Sequence, residues 1–590
     1  MNSKRVVTAV AAGAAVVMGL SACGGGSTST GGSTNGSGGS STTAAFNAAL
    51  GQVFNPSDKK GGVIKVANAD KWDSVDPGDT YYAYSWNFAR LYTRSLTMFK
   101  PAAGKGSAEL VPDLAESLGV PSDGGKTWTY KLRKGVKFED GTPVTSKDVK
   151  YGVLRSIDKE VLPNGPSYFK NTLAWPDGYQ GPYKNKDANT DSAIETPDDS
   201  TIVFHLKASF GGFDYFAMIP QTAPVQEAKD TGKKYKEHVL ATGPYKFSTN
   251  EIDKGFKLVR NDQWDAATDP NRKALPDGYE VSMNVNADDI DNRLIQGDVQ
   301  VDVQGTGVQA ASLSRVLGDP TLKGQADNPS TTRLWYTGIN PTVAPFDNKA
   351  CREAVEYAAD RTAYQTAFGG PFSGGDIATQ LMPPAVPGAQ KFDLYPAGPD
   401  NKGDVAKAKE KLAECGHADG FETNIGYRSD RPREKATAEA LQQSLGRAGI
   451  KLTLKAYPSG DYFSQFAGNP PFVRANNLGL VQNGWMADWN DGYGFLAELV
   501  DSRVIRETGG STNTSVRIPE VDQMLDKAVS ETDKSKREGD WSAIDKRVME
   551  EAVILPGVHG KSLLLRGKGL TNVFVSEAYG MYDYLSLGMA

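Results

Sequence analysis

Apolar and polar residues alternate in short runs between glycine-rich turns, the pattern of strands that bury one face. Val63-Ile64-Lys65-Val66-Ala67, following Gly61-Gly62, predicts one such strand. Trp128, Tyr130 and Leu132 predict another after the Asp123-Gly124-Gly125 turn; Val136 and Phe138 resume it past Lys134-Gly135, and Asp140-Gly141 turns the chain again. Thr145 stands three residues before Asp148, which predicts a capping box with Asp in place of Glu. Val149, Val153 and Ile157, at four-residue spacing, put a helix behind that box. Ile202, Phe204 and Leu206 predict a further strand. In the second half Asp347 is expected to cap a helix running to Asp360, and Glu434 to Ala448 predicts another, stopped by Gly449. Ile450, Leu452, Leu454 and Ala456 then alternate. A helix closed by glycine and followed at once by a strand is the usual unit of an open α/β sheet. No repeat at solenoid or propeller period is visible.

The first 60 residues follow another pattern. Lys4 and Arg5 precede an apolar run from Val6 to Leu20, then Ser21, Ala22 and Cys23. A positive start, an apolar core and small residues before a cut site make a secretory signal, too short to span a bilayer. Leu20-Ser21-Ala22-Cys23 resembles a bacterial lipobox, which implies cleavage before Cys23 and a palmitate-type lipid on it. An ordinary signal peptide cut after Ala22 is the alternative. From Gly24 to Thr43 the chain is almost purely Gly, Ser and Thr, a flexible tether with a reach on the order of 25 Å.

Without the signal, roughly 545 residues remain, enough for two or three domains. A hydrophobic content of 39% and a charged content of 23% are those of a globular protein. Loss of the two cations Lys4 and Arg5 takes the formal charge from -6 to -8, and no basic block stands out, which argues against nucleic acid as a partner. Cys351 and Cys415 each fall on the apolar face of an expected helix, with Ala354, Val355 and Ala358 and with Val405, Ala408 and Leu412. In an exported protein they are candidates for a disulfide, the alternative being two separate buried thiols. The four histidines, 205, 238, 417 and 559, have no metal-pair spacing, and His205 is expected on the solvent face of its strand. Gly557-Val558-His559-Gly560-Lys561-Ser562 looks like the end of a phosphate loop but lacks its first glycine. No Gly-x-Ser-x-Gly elbow occurs. The balance leans toward binding without catalysis.

Five blocks in order resemble the extracytoplasmic solute-binding proteins of peptide-type ABC importers, the oligopeptide- and dipeptide-binding class. They are Val111 to Ser117 with Leu132 to Gly141 and Asp148-Val149; Thr242-Gly243-Pro244-Tyr245-Lys246-Phe247; Arg260-Asn261 through Trp264; Pro345-Phe346-Asp347 with Arg352-Glu353-Ala354 and Ala359-Asp360-Arg361; and Gly484-Trp485-Met486-Ala487-Asp488-Trp489. The resemblance runs from about Gly61 to the C-terminus. It implies an α/β, two-lobed, periplasmic-binding-protein-like (Venus-flytrap) fold with an extra subdomain in the larger lobe. The expected division is a signal peptide over 1–22, lipidated Cys and linker over 23–60, a first lobe over 61–334 with the subdomain at about 95–196, a second lobe over 335–556 and a return to the first over 557–590.

The resemblance also implies a role: capture of short peptides between the lobes and delivery to an ABC permease driven by ATPase subunits, by a monomer needing no cofactor or metal. Lipid anchoring on the outer face of the cytoplasmic membrane suggests a Gram-positive cell. Asp488 is the position at which the family meets a peptide α-ammonium; a cap for the turn before Asn490-Asp491-Gly492 is its other reading. Trp485 would wall the same pocket or pack in the core. Tyr336 and Trp335 lie where the family's hinge strand presents aromatics, and Tyr81 and Tyr82 could face the cleft from the first lobe. Arg333, Arg428 and Lys455 are unranked candidates for the ligand carboxylate. Fold does not fix ligand. An oligosaccharide stacked on the Trp and Tyr set remains open, as more distantly do a nickel complex, haem and a surface-anchored hydrolase.

Overall fold

The computed structural model describes residues 45–590 apart from 252, 430, 459, 460 and 532. The signal, Cys23 and the Gly/Ser/Thr tract to 43 lie outside the described residues. Among the described residues, three sheets of four or more strands organise the chain.

The first grows around Val63–Ala67, whose Ile64 and Val66 turn inward while Val63 and Lys65 face out. That strand lies parallel to Gly278–Ser282 on one side and Val301–Asp302 on the other. Gly255–Arg260 and Tyr245–Glu251 extend the sheet in antiparallel fashion. A four-stranded antiparallel sheet has Thr127–Lys131 and Thr201–His205 at its centre. Trp128 sits opposite Phe204 and Tyr130 opposite Ile202, so the expected alternation becomes one buried face. The capping box forms: the Thr145 amide and hydroxyl donate to Asp148 Oδ2 at 2.8 and 2.7 Å, opening the helix Ser146–Ser156. Both sheets share one aromatic core, to which residues between Leu564 and Leu587 also contribute. Both ends of the chain therefore build the first lobe.

The second lobe is a six-stranded sheet in the order Gly375–Ile377, Ile554–Lys561, Ser330–Ile339, Leu480–Met486, Phe421–Arg428, Ile450–Tyr457. Helices cover both faces and enclose two separate cores. Gly449, at φ +106°, turns the chain from the helix Pro432–Gly446 directly into the outer strand, a conformation that favours glycine.

Several boundaries differ from the sequence expectation. Asn348, not Asp347, caps the helix Lys349–Ala358, its Oδ1 accepting from the Ala350 amide at 3.0 Å; Asn serves there as well as Asp. That helix stops short of Asp360 because Asp360 caps the next one, Arg361–Ala367. Residues 45–60 are docked rather than linker: the Ala49 amide donates to Asp327 Oδ1 at 2.9 Å and Phe54 exchanges backbone hydrogen bonds with Val573. Both connections between lobes are shifted, since Ser330–Ile339 and Ile554–Lys561 each belong whole to the six-stranded sheet. The inserted four-stranded sheet ends at His205 rather than 196. Gly557 to Lys561 are strand, so the phosphate-loop likeness has no structural counterpart.

Cys351 and Cys415 are bridged, their Cα atoms 5.5 Å apart, joining the helices Lys349–Ala358 and Val405–Glu414. The bridge closes a 64-residue separation, for which the chain-entropy account gives about 4 kcal/mol. Paired Cys351→Ala and Cys415→Ala substitution should lower the denaturation midpoint of the second lobe, read by urea titration, by an amount corresponding to roughly 2–4 kcal/mol.

Candidate functional site

The strand Leu480–Met486 runs out of the six-stranded sheet beside Ser330–Ile339, with Arg333 opposite Met486 and Leu334 opposite Trp485. Past its end the Ala487 amide still donates to the Thr332 carbonyl at 3.2 Å, and the Asp488 amide donates to the Gly494 carbonyl at 3.0 Å. Those two bonds fix Asp488 between the strand and the helix Gly492–Val500. The helix cap is Asp491, which accepts from the Tyr493 amide at 2.9 Å, so the side chain of Asp488 is left for another task.

That side chain reaches the first lobe. Asp488 Oδ2 accepts the Tyr81 hydroxyl at 2.9 Å and also the Tyr168 hydroxyl. Asp73 sets Tyr81 in place by accepting its amide at 2.6 Å together with the hydroxyls of Thr80 and Ser85 at 2.9 Å each. The next residue, Trp489, is 1% exposed and enters the first-lobe aromatic core against Tyr168 and Phe216, at centroid distances of 4.9 and 5.3 Å. Asp488 and Trp489 thus form a seam between the lobes.

The charge at that seam is unbalanced. Asp488 forms no ion pair among the described residues, and its neighbour Glu498 accepts only a Thr512 hydroxyl at 3.0 Å. Burial holds the Asp488 carboxyl well above the usual carboxylate range; the Glu498 charge adds to this and the Tyr81 hydroxyl partly offsets it. Burial likewise raises Glu498, against the pull of Thr512 and Arg506. Two desolvated carboxyls facing a single more distant arginine have the electrostatics of a cation-receiving site.

The other expected residues have different settings. Tyr82 is exposed (56%) and stacks on Tyr84, the centroids 5.4 Å apart. Trp335 is half-buried, packed on Phe368 at 4.7 Å and capped by the Arg333 guanidinium at 5.1 Å. Tyr336, by contrast, is a core residue: 2% exposed and packed with Leu334 and Ala487, because successive residues of a strand face opposite sides. Trp485 is half-buried against that same core, and its indole N–H donates to the Phe495 carbonyl at 2.7 Å. Arg428 is already paired with Glu434 at 2.8 Å. Lys455 is exposed on the outermost strand. Tyr168 and Glu498 were not legible beforehand; Tyr168 lies 320 residues from its partner Asp488, and no local pattern marks it.

Residues 109–506 match the family described as "Bacterial extracellular solute-binding proteins, family 5 Middle". The "Glutathione-binding protein GsiB" of Shigella boydii serotype 4 (strain Sb227) is 26% identical over 538 residues, covering 88% of this chain and 93% of that one. The solved "Clavulanic acid biosynthesis oligopeptide binding protein 2" is 42% identical, with a TM-score of 0.90 over 93% of this chain and 99% of its own. The "ABC transporter-associated periplasmic binding protein DppA from Helicobacter pylori in complex with peptide STSA" shares the two-lobed fold at 21% identity and a TM-score of 0.69, over 90% and 99% of the two chains.

A carboxyl whose folded pKa is raised stabilises the fold only below its unfolded value of about 3.9 and costs stability as pH climbs above it. Asp488→Asn should therefore melt at or above the wild type at pH 7, with the difference closing near pH 3. Thermal denaturation across that pH range checks the sign; an Asn variant that melts well below wild type at pH 7 contradicts it.

Proposed function

Since the chain belongs to the bacterial extracellular solute-binding proteins of family 5, we propose that it captures short peptides between its two lobes and hands them to the permease of an ABC importer. The observation that carries the reading is Asp488, a carboxylate at the seam of the lobes that among the described residues receives hydroxyls and no cation. A peptide α-ammonium supplies the missing charge, and an ammonium–carboxylate pair gains strength where solvent screening is reduced. Relatives named for glutathione and for oligopeptides agree with a ligand of this class.

Binding and closure are one equilibrium in this account. Tyr81 and Tyr168 come from one lobe and Asp488 from the other, so a ligand that engages both sides favours the closed arrangement by its difference in affinity between states. The permease then recognises the closed form, and its ATPase subunits supply the work. The proposal includes a lipid on Cys23 that holds the protein to the outer face of the cytoplasmic membrane of a Gram-positive cell, a reading supported by the lipobox-like Leu20-Ser21-Ala22-Cys23. An oligosaccharide is the second reading, favoured by the exposed Tyr82 ring, an open face for stacking a sugar.

Native mass spectrometry on residues 45–590 purified without denaturation tests the ligand class. Bound masses forming a ladder of short peptides, lost in Asp488→Asn, are expected; masses in hexose steps that survive the substitution would replace the peptide reading with the sugar one. Because the folded carboxyl of Asp488 is held well above the usual carboxylate range and binding draws it toward its charged form, binding should release protons and peptide affinity should rise with pH. Calorimetry in buffers of different ionisation enthalpy measures that release. For the anchor, Cys23→Ala should shift the protein from the membrane fraction to the medium.

A further inference from the structure

Tyr168 reaches the seam from a helix, Tyr168–Thr172, that is five residues long and has no side-chain cap. Phe169 anchors that helix in the first-lobe core, against Phe213 and Phe216 at centroid distances of 6.2 and 6.0 Å. Ahead of it, residues 163–167 belong to no helix or strand. An uncapped helix of little more than one turn frays at its entry unless another group holds it.

Side chains brace that entry. Lys159, half-buried just past the helix Ser146–Ser156, donates its ammonium to the Gly165 and Pro166 carbonyls at 2.7 and 2.9 Å. The Gln221 side-chain amide donates to the same Pro166 carbonyl at 3.0 Å. Buried Asp79 accepts the Asn164 backbone amide at 2.9 Å and its side-chain amide at 3.2 Å. No carboxylate bonds the Lys159 ammonium among the described residues, so its hydrogen bonds serve the loop. Burial lowers its pKa to about 8, with Asp79 pulling it up and Lys170 adding to the fall.

Asp79 lies two residues before Tyr81, on a turn that Asp76 closes. There Asp76 accepts the Gly78 amide at 2.9 Å and the Arg155 guanidinium at 2.6 Å. The turn also presses on the loop, for a Cβ on Gly165 would collide with the Gly78 carbonyl oxygen. Tyr81 and Tyr168, which both donate to Asp488 Oδ2, are therefore presented by two segments stapled to each other. Every contact of the staple lies within the first lobe, so its formation needs neither the second lobe nor a ligand.

We propose that Lys159 and Asp79 are positioning residues for ligand capture, stapling residues 163–167 to the turn 76–79 so that Tyr168 and Tyr81 stand ready for Asp488. This rests on the peptide reading and adds the residues that prepare the first lobe for it. Ordering a loop in advance removes its entropy cost from the binding step, so the staple raises affinity without touching the ligand.

Titrated thermal shift of the purified protein with a mixed tripeptide library tests it. Lys159→Met, with wild-type circular dichroism, should need about ten times more library for the same shift, the scale of one charge-assisted hydrogen bond. Gly165→Ala, which pushes the loop off the turn and alters no charge, should weaken binding in the same direction. A double-mutant cycle separates positioning from general support of the fold. Tyr168→Phe should bind weakly, and adding Lys159→Met to it should cost no more than about twofold further. Without any variant, hydrogen exchange on the ligand-free wild type should find the Asn164 amide protected. Wild-type affinity in any of these single variants, full additivity in the cycle, or an Asn164 amide that exchanges like an unfolded chain would overturn the proposal and leave the peptide reading in place. No response of the wild type to the library would remove both.

Discussion

A carboxylate withdrawn from bulk water must find a partner or give up its charge, and the cleft of this protein is arranged around one that has found only hydroxyls. Asp488 sits where the second-lobe sheet runs out and the first lobe begins, and Tyr81 and Tyr168 close over it. Its neighbours keep it unsatisfied: Glu498 adds like charge, and the arginine that acts on this pair, Arg506, does so through Glu498. Elsewhere in the first lobe, the Arg94, Arg272, Asp113 and Asp269 cluster shows the opposite arrangement, buried charges matched by buried partners.

Trp489 links that electrostatics to packing. Burying a large side chain is worth roughly 1.5–3 kcal/mol, and here the ring that gains this comes from one lobe and the core that receives it from the other. Closure is thus supported beside the carboxylate by contacts that do not depend on a ligand's side chains.

Much of this could be read beforehand, for identifiable reasons. The alternation of Trp128 and Tyr130 with polar residues is a local signal, and the sheet reproduces it. The Thr145–Asp148 box and the Gly449 turn are also local, and both formed. The Gly484 to Trp489 block drew attention to Asp488 through family likeness, not through any rule of spacing. What could not be read was pairing at a distance. Tyr168 meets Asp488 across 320 residues. Tyr336 misled because a strand shows every second residue to each side, and which side faces the core is a tertiary fact.

The docking of residues 45–57 has a mechanical consequence. Ala49 is pinned to Asp327, Phe54 to Val573 and the Ser57 amide to Asn572, all within the first lobe. A load applied to the preceding chain would therefore be borne by that lobe alone, along a line of force that does not cross the cleft. A swing of the second lobe against the first would leave the attachment of residues 45–57 unstrained.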